Sequence, residues 1–129
     1  MKIENIKFKA KRLDNGEWII GSFVVMKIPA LSKTTIGIVA TGGATLHEVD
    51  PSTVCMFTGL KDCEGKELFE NDLIHFVGHK PMGTVIWSEE NYAFMVANEY
   101  EPLYWLSDVP EIGKIERVGN KFDRKGGEK

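Results

Sequence analysis

Four side chains in the sequence are of the types that bind zinc, namely Cys55, Cys63, His75 and His79. The two cysteines are separated by seven residues, whereas structural zinc sites usually have two to four residues between such a pair. We therefore predict that the purified protein holds no stoichiometric metal. Both cysteines are expected to be free thiols in a reducing compartment, with packing as their role.

A second pattern resembles a phosphate-binding loop but departs from it in spacing and in residue type. Gly59 and the pair Gly65-Lys66 enclose five residues, where a phosphate-binding loop needs four. Glu67 also stands where that loop needs a Ser or Thr to hold magnesium. No serine has the Gly-x-Ser-x-Gly context of a hydrolase nucleophile. We therefore expect no enzymatic activity, no catalytic residues and no cofactor.

Nucleic-acid binding is the stronger functional alternative. Lys7, Lys9 and Lys11 alternate with apolar residues and would form one basic face of a strand. Trp18 and Phe23 lie close to them in a predicted hairpin and could stack on bases. The sequence pI of about 5.6 argues against this function, because non-specific binding needs a dominant positive surface. Any binding to DNA or RNA is expected to be weak at physiological salt.

Charge is segregated along the chain. The first twelve residues carry five basic and one acidic side chain, the last sixteen carry six and three, and residues 13–113 have a net charge of −10. Such complementary segments favour self-association, so we predict a homo-oligomer. The interface candidates form one aromatic and aliphatic cluster, whose burial in the monomer core is the alternative: Leu103, Tyr104, Trp105 and Leu106.

The elements that position these residues are predicted to be short strands. Apolar stretches recur at intervals of about ten residues with turn residues between them, which is typical of a barrel or a sandwich. The expected strands are 6–11, 17–28, one within 34–45, 53–58, 72–77, 83–87, 92–97 and 112–122. A turn or a single helical turn is expected at 67–71 and a single helical turn at 103–106, so helices are few and very short.

The longest recognisable motif spans residues 56–74, which read MFTGLKDCEGKELFENDLI. This run resembles the signature of the YopX family of phage and prophage proteins. Two positions depart from it, because Glu64 stands where the family usually has Asn, and Asn71 where it usually has Gly. An exposed turn is expected at 59–66, with Gly65 in a left-handed conformation. The turn at Asn71 should survive, since Asn tolerates positive φ. The signature positions are Thr58, Gly59, Leu60, Asp62, Gly65, Asn71 and Asp72.

The resemblance implies a β-rich protein and assigns no activity. The signature alternates turn-building and burying residues, so we interpret it as structural. We expect one domain over 1–122, built as two small packed β lobes, 1–57 and 58–122, with an SH3-like barrel as one option for the second lobe. Residues 123–129 are predicted to be a flexible tail.

The expected location is the cytoplasm of a bacterial host, because the first residues carry frequent charges and no long apolar run. No membrane association is expected. The sequence thus favours a non-enzymatic protein-interaction or assembly module with an unidentified protein partner. A nucleic-acid-binding module is the alternative.

Overall fold

The computed structural model describes residues 2–77, 82–98, 102–108 and 114–123. The prediction of a mainly β protein is confirmed: the described part has two antiparallel sheets and no helix of seven or more residues. The strands are β1 (Phe8–Lys11), β2 (Trp18–Ile28), β3 (Lys33–Ala40), β4 (Leu46–Glu48), β5 (Cys55–Lys61), β6 (Glu67–Phe69), β7 (Asp72–Phe76), β8 (Met82–Ser88), β9 (Ala93–Ala97), β10 (Pro102–Trp105) and β11 (Ile115–Asn120). Short 3-10 turns occur at Ile3–Asn5, Pro29–Leu31, Pro51–Thr53 and Leu106–Asp108.

The chain divides into two compact units, Met1–Phe57 and Thr58–Lys129, called unit 1 and unit 2 below. In unit 1 the strands are hydrogen-bonded in the order β4-β3-β2-β1-β5. The hairpin of β2 and β3 pairs from Gly21 opposite Ala40 to Ile28 opposite Lys33. The core of unit 1 consists of four buried side chains, Ala10, Ile19, Ile38 and Val49, with Phe8, Phe23, Ile36, Ala40 and Val54 packed against them.

The alternation predicted for the first strand is only partly correct. Ala10 is completely buried, but Ile6 precedes β1 and is 48% exposed. Lys9, predicted to face water, is only 5% exposed. The reason is that β1 has neighbours on both sides, β2 and β5, and that the Lys9 ammonium lies over the Trp18 ring, 4.6 Å from its centroid.

In unit 2 the second half of β5 is followed by β6, and the main sheet has the strand order β10-β9-β8-β7-β11. This sheet is open, so the SH3-like barrel option is wrong. Its core contains the side chains of Leu68, Ile74, Val85, Val96, Leu106 and Ile115, with Leu60 and Phe94 packed against them. These residues come from segments that are far apart in sequence, which makes the core dependent on long-range pairing.

Strands replace most of two segments for which a helical turn was considered: 67–71, predicted as a turn or a single helical turn, keeps a turn only at 70–71, and 103–106 was predicted as a single helical turn. Glu67–Phe69 forms β6, and Pro102–Trp105 forms β10, which pairs with Met95, Val96 and Ala97 of β9. The helical prediction for 103–106 is wrong because a four-residue apolar run has no measurable period. Of residues 103–106, Leu106 alone lies outside the strand, and it begins the 3-10 turn Leu106–Asp108. Residues 124–129, the greater part of the predicted tail, lie outside the described residues.

Candidate functional site

The family-like signature forms the hairpin of β5 and β6. The Thr58 hydroxyl donates a 2.8 Å hydrogen bond to the carbonyl oxygen of Leu68, which joins the two strands. The turn closes where the Asp62 backbone N–H donates to the carbonyl oxygen of Lys66 at 2.8 Å. Gly65 adopts the predicted left-handed conformation, with φ of 83°. Gly59, within β5, also has positive φ, at 87°.

The carboxylate of Asp62 holds this turn and attaches it to β11. Its Oδ1 accepts hydrogen bonds from the backbone N–H groups of Glu64 at 2.9 Å and Lys66 at 2.8 Å. Its Oδ2 accepts one from the backbone N–H of Arg117 at 2.9 Å, a residue 55 positions away in sequence. Asp62 is 6% exposed, so these three bonds replace the solvation that it loses on folding.

Burial and the surrounding hydrogen-bond donors determine the charge state of Asp62. Burial raises the pKa of its carboxyl, but the N–H donors of Arg117, Lys66 and Glu64 and the Lys66 charge together outweigh burial. The pKa of Asp62 is therefore below its ordinary value, because hydrogen bonds to the ionised form favour it. Asp62 is a negatively charged anchor at neutral pH, unsuited to donating a proton.

Asp72 is the second buried carboxylate of the signature, with no exposed surface. Its Oδ2 accepts the Phe69 backbone N–H at 2.7 Å, and its Oδ1 accepts the Asn120 side-chain amide at 2.9 Å. The Nε of Arg117 lies 3.1 Å from Oδ2, an ion-pair distance without the alignment of a hydrogen bond. The Asn120 amide also donates to the Glu70 carbonyl oxygen at 3.3 Å. Asp72 thus connects the β6–β7 turn to β11.

The turn between β6 and β7 depends on Asn71. Its φ is 72°, as expected for a position where the family usually has glycine. Its backbone N–H donates to the Val85 carbonyl oxygen at 2.7 Å, and its carbonyl oxygen accepts from the Lys121 N–H at 2.9 Å. The polar signature residues are therefore used in contacts within unit 2. Sequence reasoning missed Arg117 and Asn120, which complete the network, because the local sequence gives no sign of their distant partners.

Of the three lysines predicted to form a basic face, Lys9 and Lys11 lie on β1 and Lys7 directly precedes it, and all three lie over aromatic rings. The Nζ atoms of Lys9 and Lys11 are 4.6 and 5.5 Å from the Trp18 ring centroid. The Nζ of Lys7 is 4.7 Å from the Phe57 ring centroid. At these distances each ammonium group is attracted to the face of an aromatic ring, which keeps it close to the sheet. The face is thus less available to a phosphate backbone than three extended lysines would be.

The predicted aromatic cluster is divided by the structure. Leu106 is 2% exposed and belongs to the unit 2 core, whereas Tyr104 and Trp105 on β10 are 39% and 44% exposed. Leu103 lies on the same strand. We call the side chains of Tyr104 and Trp105 the aromatic edge. Trp87, 39% exposed, packs edge-on against Phe94 with ring centroids 5.2 Å apart.

The zinc-type residues occupy different environments. Cys55 is buried and Cys63 exposed. The His75 ring nitrogen Nε2 lies 3.1 Å from Oε1 of Glu116 on the neighbouring strand. His79 lies outside the described residues. Within the described ranges, no group of three or more His, Cys, Asp or Glu side chains is arranged to hold a metal ion.

One open cleft lies in unit 1, with a volume of about 370 Å³. Its lining side chains are Leu13, Asp14, Leu46, His47 and Glu48. Asp14 is engaged by the Arg12 guanidinium at 2.6 Å. That hydrogen bond lowers the pKa of the exposed Asp14 carboxyl. A group that stays ionised is unsuited to general acid catalysis.

The geometry defines a mainly β protein whose characteristic motif is a buried polar network. The family model described as YopX protein matches residues 7–124. The chain therefore belongs to the YopX family. No curated protein is similar enough to the chain to count as a relative. Among the described residues, no helix has the length and apolar character needed to cross a membrane.

Proposed function

We propose that the chain is a non-enzymatic protein-interaction and assembly module that forms homo-oligomers. Its proposed setting is phage or prophage life in the cytoplasm of a bacterial host, which YopX family membership supports. The observation that carries the proposal is the aromatic edge, where Tyr104 and Trp105 keep 39% and 44% of their surface exposed. Tyr and Trp are enriched in the cores of protein interfaces and among the residues that dominate binding energy.

The position of the aromatic edge supports the same interpretation. β10 is the terminal strand of its sheet among the described strands. A terminal strand presents backbone N–H and C=O groups that a partner strand can pair with. Tyr104 and Trp105 are neighbours on this strand, so their side chains project from opposite faces of the sheet. A partner that pairs with β10 would bury an aromatic ring on each face.

Nucleic-acid binding is the alternative function, with Lys7, Lys9 and Lys11 as its proposed contacts. The placement of Lys9 does not favour it, because this side chain is 5% exposed. The net charge of −3 also opposes a polyanion. An electrophoretic shift of DNA or RNA at submicromolar protein in about 150 mM salt would reverse this ranking, since non-specific affinity is ordinarily weaker.

The test is the molar mass in solution, measured by light scattering coupled to size exclusion across a range of concentrations. The double variant Tyr104→Thr/Trp105→Thr removes the aromatic edge and retains strand propensity. We expect an oligomer for the unmodified chain and a monomer for this variant. The control is Tyr92→Asn, which removes a 76% exposed ring from a turn at φ of 50°, a conformation that Asn tolerates.

This control should keep the oligomer. A strictly monomeric mass for the unmodified chain at every concentration would refute the assembly proposal. If the double variant is still an oligomer, the interface does not depend on the aromatic edge of β10. Circular dichroism of each variant verifies that the fold is retained.

A further inference from the structure

A second exposed apolar surface lies on β2 in unit 1. Ile19 and Phe23 of this strand point into the core, so the residues that alternate with them point to the other face. Ile20 and Met26 on that face are 39% and 44% exposed, and Val24 is half-buried. We call Ile20, Val24 and Met26 the outer stripe.

The outer stripe is unusual for a strand beside solvent. A strand with one wet face normally alternates apolar and polar residues, whereas apolar residues on both faces are typical of a strand covered on both sides. The stripe continues sideways, because Val39 of β3 pairs with Ser22 and lies on the same face. Contiguous exposed apolar surface of this kind marks an interaction site.

The charge around the outer stripe selects the type of partner. Residues 18–47 contain no Asp or Glu. Lys33 pairs with Ile28 and so lies on the face of the outer stripe, whereas Lys27 alternates to the opposite face. Lys11 of β1 pairs with Trp18 and lies on the same face as the outer stripe, with its Nζ atom 5.5 Å from the Trp18 ring centroid. Two carboxylates flank this segment in sequence: Glu17, which directly precedes β2, and Glu48 on β4, which β3 separates from β2. An apolar stripe with a basic surround fits a partner that is apolar and acidic.

Unit 2 of another copy has that character. Unit 1 carries seven basic and five acidic side chains, a net charge of +2, and unit 2 carries nine and fourteen, a net charge of −5. Asp108 follows the aromatic edge closely in sequence and is exposed. Glu89 and Glu90, also exposed, lie in the turn between β8 and β9, the strand that pairs with β10.

We infer that the outer stripe of one copy binds the aromatic edge of a second copy. This inference rests on the proposed assembly function and names the partner of the aromatic edge. The contact joins two different surfaces of the same chain, so it is heterologous and propagates head to tail. A ring or an open chain of copies follows, depending on the rotation between neighbours. The apolar groups supply most of the affinity and the charges set the orientation.

A complementation experiment tests the head-to-tail contact. Met26→Glu places a carboxylate on the outer stripe, where it opposes the acidic partner. Tyr104→Thr/Trp105→Thr disables the other surface. Each variant alone should be monomeric, because its affinity for itself should be at least tenfold weaker than that of the unmodified chain. Mixed in equal amounts, they should form a dimer of one copy each, because each retains the surface that the other lacks.

The matched control is Val25→Glu. Val25 is 50% exposed and adjacent to Met26, but its side chain lies on the opposite face of β2. The Val25→Glu variant should therefore oligomerise like the unmodified chain. If Met26→Glu fails to fold, Ile20→Thr is the replacement on the outer stripe, since Thr is β-branched and keeps strand propensity.

Sedimentation velocity of the single variants and the mixture distinguishes the outcomes. An unmodified oligomer whose two variants do not combine would overturn the head-to-tail inference and leave the assembly proposal intact. The same conclusion would follow if Met26→Glu kept the oligomer, or if Val25→Glu abolished it equally. A monomeric unmodified chain would overturn both proposals.

Discussion

Replacement of Asp62 by Asn tests whether the buried carboxylate network stabilises unit 2. The substitution preserves shape and removes the negative charge. One oxygen remains, and it can still accept the backbone N–H groups of Glu64 and Lys66. The new amide NH2 group then faces the Arg117 N–H, which previously donated to Oδ2 at 2.9 Å. Two donors oppose each other, so the link to β11 is lost.

The magnitude follows from the bonds that change. A hydrogen bond to a charged group contributes about 1.5–3 kcal/mol, and a buried donor left unsatisfied costs about 1–3 kcal/mol. The Glu64 and Lys66 N–H groups are in an exposed turn, where water can partly replace the lost charge. We therefore expect Asp62→Asn to lower the free energy of unfolding by about 2–3 kcal/mol at pH 7.

The pH dependence has a defined sign. The folded pKa of Asp62 is lowered, so its contribution to stability is present above the unfolded pKa, which is about 3.9. The contribution decreases as the pH falls below that value and is lost once the pH passes below the folded pKa. The stability difference between Asp62→Asn and the unmodified chain should accordingly shrink between pH 5 and pH 3.

Urea denaturation followed by tryptophan fluorescence measures this difference. In a Trp18→Phe background the signal comes from Trp87 and Trp105, both in unit 2. The control is Asp14→Asn, whose carboxylate is exposed and bonded to Arg12 alone among side chains of the described residues. It should not shift the unit 2 transition. An Asp62→Asn penalty no greater than that of Asp14→Asn, or a penalty unchanged by pH, would refute the reasoning.

Two further predictions concern packing and access. Gly21→Ala should destabilise unit 1 by about 3 kcal/mol, the upper part of the usual range for overpacking, because an added Cβ would overlap the Val39 carbonyl oxygen. Chemical denaturation followed by Trp18 fluorescence checks this. A midpoint within error of the unmodified chain would contradict it. A thiol reagent should label one cysteine in the native chain, since Cys63 is exposed and Cys55 is buried. Mass spectrometry after labelling with and without denaturant gives the count, and two labels on the native chain would disprove the burial of Cys55.

Turn chemistry was the most predictable part of the site. Gly65 and Asn71 were expected to adopt left-handed conformations, and both do, with φ of 83° and 72°. Such conformations depend mainly on the clash between a residue's own Cβ and its backbone, so residue type is informative. The metal-free state, the oligomer and the absence of enzymatic activity stay predictions.

The partners of the site residues were not predictable. The turn around Asp62 was expected, but its bond to the Arg117 N–H joins residues 55 positions apart. The same holds for Asp72 and Asn120, whose side chains meet across 48 positions. Which strands become neighbours depends on the assembled sheet, and local composition carries no information about that order.

The sequence by itself determined the β class, the turn positions and the family, because alternation, glycine placement and motif order are local properties of the chain. Only the tertiary structure decided which residues face water. Lys9 is buried because strands flank β1 on both sides, and Leu106 separates from Trp105 because one enters the core and the other stays on an edge strand. Burial is a property of what packs around a residue, so it becomes defined only when distant strands meet.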